Sequence, residues 1–256
     1  MHLDIETSIE FAKSAALPEI EDFGLDIEDA GDPPNFDKPE LAVTVGSQIA
    51  SFADNVEPEL REKIANGFLF AQQAANKQID GATEASSFAW YKTYVHVLTQ
   101  IGWMTEEDAR LDRIIKGTSV QVHKEIIPIL SAALGPAAAT SALVVKVLEG
   151  LSQMDADSRW FTIFDSASQR AQANQFQMSH IDKVDGAPRI NLVNFELAAE
   201  RSVKQVLFFK LDTNRAELRH TENEISVNEP IFSEVAPIIA DRLQDRIRQF
   251  VMDIDI

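Results

Sequence analysis

The chain has 256 residues, 45% of them hydrophobic, with 23 Lys and Arg against 41 Asp and Glu, a formal net charge of −18 at pH 7 and no cysteine. Fifteen Phe and three Trp supply enough large apolar side chains for a folded core and exclude disorder of the chain as a whole. The absence of cysteine excludes disulfides and thiolate metal sites, and the absence of any basic run excludes DNA and RNA as main partners, because counterion release needs clustered cations.

The charge is uneven. Residues 1–40 carry twelve acids and only two bases, Lys13 and Lys38, a local charge of −10. Pro18, Gly24, Gly31, Pro33, Pro34 and Pro39 break every helical stretch there. The first residues, Met1 to Glu6, are acidic and do not form a secretory signal. Residues 1–39 therefore read as an acidic arm with spaced apolar points. Phe11, Leu17, Phe23 and Phe36 are the candidate anchors by which it docks on the body, on a second copy or on a protein partner. Removal of residues 1–38 is expected to leave a folded body.

Residues 40–153 read as a helical region. Leu41, Val45, Ile49, Phe52 and Val56 recur every three or four residues, as do Leu60, Ile64, Phe68, Ala71 and Ala75 after Pro58. A third helix runs from about Thr83 to Ile101, with Thr83 as its cap, an apolar stripe from Phe88 to Ile101 and His96 packed among its aromatics. Thr105 to Asp108 looks like an acid-rich helix start. The 126–148 stretch, with Gly135-Pro136 near its middle, reads as an apolar helical hairpin. Small apolar arms of this kind suit close packing in a core, and equally close packing in lipid. The residues that would enter a bilayer after a conformational change are Ile126, Ile127, Leu130, Leu134, Gly135, Pro136, Leu143, Val144 and Val145. Lys146 opposes simple spanning.

Residues 154–256 read as antiparallel and β-rich. Trp160–Phe164 is β-prone, and Phe176–Ile181 alternates. Asp185-Gly186 signals a hairpin, and Ile190–Leu197 and Val203–Leu211 read as strands. Ala216, Leu218 and His220 alternate on the next, and Ile225 with Val227 suggests a short fifth. A helix over 230–252 closes the region, and the alternating Met252–Ile256 returns to the sheet. The expected fold is α+β: a helical layer, then an antiparallel β-meander, as sheet or sandwich, with a C-terminal helix.

Chemistry is sparse. The five histidines, His2, His96, His123, His180 and His220, include no pair at helical i, i+4 spacing and no HExxH. No phosphate-cradling Gly-rich loop and no Gly-x-Ser-x-Gly occurs. Ser158 and Ser166 near Asp155, Asp157 and Asp165 form the single Ser/Asp cluster worth naming, and turn and cap chemistry accounts for it. Asp155 with Asp157, or Asp26, Glu28, Asp29 and Asp32, lack the spacing of a helix-loop-helix calcium site. No catalytic residue, metal ligand or cofactor is assigned. The expected function is a non-enzymatic interaction or self-assembling protein, a homo-oligomer or a binder of a protein partner. A membrane-active, pore-forming protein using the 126–148 hairpin is the alternative, and a hydrolase of unfamiliar design stands third. The expected location is the cytoplasm, or release by a signal-independent route.

Overall fold

The structure, a computed structural model, describes residues 4–19, 34–39, 41–79, 84–105, 115–116, 120–134, 145–150, 159–170, 174–199, 203, 205–209, 211 and 216–254. It is an α+β fold. Its elements in chain order are α1 (Ile5–Ser14), β1 (Leu41–Val45), β2 (Gln48–Phe52), α2 (Pro58–Gln78), α3 (Glu84–Gln100), β3 (Trp103–Thr105), β4 (Ile115–Lys116), α4 (Val122–Ala133), α5 (Arg159–Arg170), β5 (Gln175–Val184), β6 (Ala187–Ala199), β7 (Ala216–Val227), α6 (Glu229–Phe250) and β8 (Val251–Asp253). Residues 145–150 are also helical.

The strands form one sheet in the order β3-β7-β6-β5-β2-β1-β8, with β4 also paired to β7. The meander expected from sequence is β5-β6-β7, antiparallel throughout. Its first turn is Asp185-Gly186, both at positive φ (52° and 84°), the backbone that a two-residue hairpin of the favoured twist requires. β7 is one twelve-residue strand that absorbs the short strand expected at Ile225–Val227. The sheet then extends beyond the meander. β5 pairs in parallel with β2, which pairs with β1 and through it with β8. The chain's end therefore returns to the sheet as its alternation indicated, with Ile254 N donating to Ala42 O at 2.9 Å.

Several elements differ from expectation: the arm carries a ten-residue helix, α1, Thr105 ends β3 rather than starting a helix, and three further segments change type. Leu41–Phe52 is a β-hairpin about Gly46-Ser47 rather than a helix. Every residue of β1 and β2 is buried. A strand covered on both faces carries apolar residues at odd and even positions, and spacings of three and four then arise without a helix. Trp160–Phe164 belongs to helix α5, where Trp160, Phe161, Ile163, Phe164 and Ser168 are buried and Thr162 is exposed. That is an amphipathic helical face. The described residues of the 203–211 stretch are irregular, with a turn at 206–208. Its carbonyls take up the start of α4 instead of a strand ladder: Val122 N donates to Phe209 O at 2.9 Å and His123 N to Leu207 O at 2.8 Å. A helix start leaves such donors without partners of its own.

Two apolar cores lie on the two faces of the sheet. One joins α1, α2, α3 and α6 to Leu41, Val43, Val45, Ile181, Ile190, Leu192 and Ile225. The other joins α4, α5 and the 203–211 segment to Phe176, Met178, Val193, Phe195 and Leu218. Helix α2 is the inner helix of the first layer, buried continuously from Ile64 to Ala75. Gly67 permits its close approach to the sheet edge, since a Cβ there would sit 2.7 Å from the Trp103 ring.

Candidate functional site

The arm is the first place where chemistry and geometry coincide. Asp4 caps α1, accepting from Thr7 N at 2.8 Å. Ser8 and Ala12, one turn apart, are fully buried, and Phe11, Leu17 and Phe36 pack against the first core. Phe23, the fourth candidate anchor, lies outside the described residues. Helix α1 rests on α6. Arg242 Nη1 donates to Ala12 O at 2.8 Å while its guanidinium lies 5.7 Å from the centre of the Phe70 ring. Lys13, Pro237, Ile238, Asp241 and Arg242 line an open groove of about 480 Å³ along this contact.

The return of the arm is held differently. Arg61, 3% exposed, donates to five backbone carbonyls. Those of Phe36, Lys38 and Pro39 belong to the arm, and those of Ala53 and Val56 to the β2–α2 loop. Burial draws its pKa down, with Asp54, Asp37 and Glu57 nearby opposing the shift. Asn35 N donates to Asp253 Oδ1 at 2.9 Å and Lys38 pairs with Asp253 at 2.9 Å, which ties the arm to β8. The sequence carries a signal for this latch: Arg61 is the one cation in the row Arg61, Ile64, Ala65, Phe68 of α2, a row that is otherwise apolar and buried.

The second place is a buried polar seam where β2 meets β5. Gln72 Nε2 donates to Val45 O at 2.9 Å, and Gln72 Oε1 accepts from Ser47 N at 3.0 Å. Ser47 Oγ lies 3.1 Å from Gln177 Oε1, and Gln177 Nε2 donates to Asn194 Oδ1 at 2.9 Å. Tyr94 Oη donates to Gln48 Oε1, and Gln48 Nε2 to Ser179 Oγ, each at 2.8 Å. Burial pushes the Tyr94 phenol well up, so it remains a donor. On the other face Ser51 Oγ and His180 Nδ1 stand 3.0 Å apart.

Among the described residues, this Ser–His contact is the one convergence that touches the hydrolase reading, and its geometry is structural. Ser51 Oγ donates to Ser179 O at 3.1 Å. The hydroxyl proton is thereby committed to a carbonyl, and Nδ1 is assigned as the donor to Oγ. A general base needs the reverse, a ring lone pair aimed at the hydroxyl. Ser51 and His180 are 1% and 3% exposed, and burial lowers the His180 pKa to about 4. The seam fixes the register of the parallel pair, since a one-residue slip would turn every one of these groups to the opposite face.

The remaining candidates are scattered. His220 lies two strands from His180 and four residues along the register, on the order of 15 Å away. It pairs with Glu222 at 3.3 Å. His96 is exposed on α3 rather than packed, because Trp90, Tyr91 and Tyr94 fill the inward positions. His123 Nδ1 lies 3.2 Å from Leu207 O, against the Phe208 ring. Asp165 accepts from Val206 N at 3.1 Å, while Ser158, Asp155, Asp157 and the acids of 20–33 fall outside the described residues. Of the apolar hairpin, Ile126, Leu130 and Leu134 are buried in the second core, with Ile127 packed against it and Val145 half-buried. Gly135, Pro136, Leu143 and Val144 lie outside the described residues. No helix among the described residues is long and apolar enough to cross a membrane, and none of their His, Asp and Glu side chains form a metal-holding group.

No protein-family model matches the sequence, and no curated protein matches it. Among solved structures, one titled "Structure of the Evf virulence factor" aligns over 86% of this chain and 89% of that chain, with a TM-score of 0.33 and 11% sequence identity. A likeness at that level carries no argument about what this chain does.

Proposed function

We propose that this chain is a non-enzymatic interaction protein that associates through its acidic N-terminal arm. The observation that carries the reading is the way the arm is held. Its helix is seated on α6 by small and apolar residues and one arginine–carbonyl bond, and its return is fixed separately by Arg61. An element joined to the body at two independent points can leave one of them and keep the other. Deleting residues 1–17 tests the reading. Circular dichroism should report a folded body, and sedimentation velocity and pull-down should report altered association. Unchanged association would overturn it.

The membrane-active alternative would require α4 to leave the second core, exposing Ile126, Leu130 and Leu134. Dye release from liposomes is its test, with leakage at sub-micromolar protein as its supporting result.

A further inference from the structure

We infer that the groove between α1 and α6 binds a small organic monocarboxylate with an apolar body, and that the bound ligand ties the arm to the body. The site goes beyond the arm's proposed role in association and stands without it. The described residues that line the groove are Lys13 from α1 and Pro237, Ile238, Asp241 and Arg242 from α6, around a volume of about 480 Å³. That volume lies in the range of small-molecule sites.

The charges of the groove select the ligand. Arg242 is half-buried, and its Nη1 donates to Ala12 O. Its Nε and Nη2 have no hydrogen-bond partner among the described residues. Burial, with Arg246 one turn on, draws its pKa down. The guanidinium has thus lost water without gaining an anion. Lys13 is one of only two bases in residues 1–40. Its ammonium pairs with no described acid, not even Glu10 one turn before it. Two cations with spare donors at one groove call for an anion, and the planar fork of an arginine meets a carboxylate at two points. Asp241 lines the same groove and has no ion-pair partner among the described residues. It repels a second negative charge on the ligand, which favours a monocarboxylate over a phosphate or a dicarboxylate. Pro237 is exposed and Ile238 packs against the first core. Both offer apolar surface beside the cations for the body of the ligand.

The ligand joins two parts of the chain. Lys13 belongs to the arm and the other four residues to α6, so the full site exists only while α1 is seated. A ligand that binds the seated form alone lowers the open fraction by the factor 1 + [L]/Kd, about elevenfold at ten times Kd.

Octanoate is the probe. Proton–nitrogen correlation spectra of the full chain should show saturable shifts at Lys13 and at Ile238–Arg242, with a Kd on the order of 1 mM. Acetate, which lacks the apolar body, should bind about tenfold more weakly. Octylammonium, with the charge reversed, should not shift these amides. Arg242 also anchors α1, so the decisive variant is Lys13→Met, which leaves the bond from Arg242 to Ala12 O in place. It should weaken octanoate binding about fivefold. At ten times Kd, the amides of Ile9–Ser14 should exchange with solvent about elevenfold more slowly. Shifts that do not saturate, equal affinity for octylammonium, or unchanged affinity in Lys13→Met would overturn the site. Unchanged exchange of α1 at that concentration would overturn the tie between arm and body. Sedimentation of the chain lacking residues 1–17 reports on association separately, so the two readings fail independently.

Discussion

Ser51 and His180 meet at 3.0 Å across the parallel β2–β5 pair, 129 residues apart in sequence and both buried. Burial, with Arg189 nearby, holds the imidazole neutral. Burial depresses its folded pKa from 6.5 to about 4, so the stability it contributes is present above pH 6.5 and is lost as pH falls toward 4. His180→Gln keeps an amide donor for Ser51 without a titrating ring. The variant should lose less stability than the natural chain between pH 7 and pH 4, by a difference on the order of 3 kcal/mol. Urea unfolding at the two pH values measures this. Parallel curves for the two proteins would contradict it.

Asp165 has the opposite sign. Burial raises its pKa to about 6, against the opposing bond from Val206 N. Its contribution is therefore fullest below the unfolded value of 3.8 and is lost as pH rises through 6. Asp165→Asn retains an oxygen that accepts from Val206 N. It should raise stability at pH 8 by about 3 kcal/mol and change it by less than about 1 kcal/mol at pH 4. Thermal unfolding at both pH values is the measurement.

Thr44 is fully buried on β1, and its hydroxyl finds no hydrogen-bond partner among the described residues. A buried polar atom without a partner costs on the order of 1–3 kcal/mol. Thr44→Val keeps the shape and removes the group, so it should raise stability by about 1 kcal/mol in denaturant titrations.

Arg61 serves five carbonyls from one buried guanidinium. Arg61→Met leaves them without donors and should cost about 3 kcal/mol or more. Arg61→Lys should restore little, since an ammonium offers three donors from one point instead of a planar fork. Limited proteolysis should find new cleavage near residues 36–39 in both variants. Phe36 and Lys38 supply carbonyls to the Arg61 cage, so a deletion through residue 38 removes part of that cage and one through residue 17 leaves it intact.

Much of the fold was legible wherever one local signal decided it. Asp185-Gly186 forces its hairpin, Pro58 and Pro230 open long amphipathic helices, and Met252 to Ile254 alternates back to the sheet. The hairpin of β1 and β2 was not legible, because two faces of burial erase the period-2 pattern that distinguishes strand from helix. Val203–Leu211 misled for a related reason: an apolar run needs burial, and its backbone found partners on α4 rather than in a ladder. Of the arm, Phe11, Leu17 and Phe36 were readable as apolar points, but the core they pack against is assembled from elements far along the chain. The Ser51–His180 contact needs the parallel register of two distant strands, which no local pattern encodes.

Native-state hydrogen exchange tests most directly whether the arm is held as two separable parts. The account predicts that the amides of Ile9–Ser14 in α1 exchange through an opening well below the global unfolding free energy, with β1, β2 and the N-terminus of α2 around Arg61 remaining protected. Exchange of α1 together with β1 and β2, at the global free energy, would contradict it.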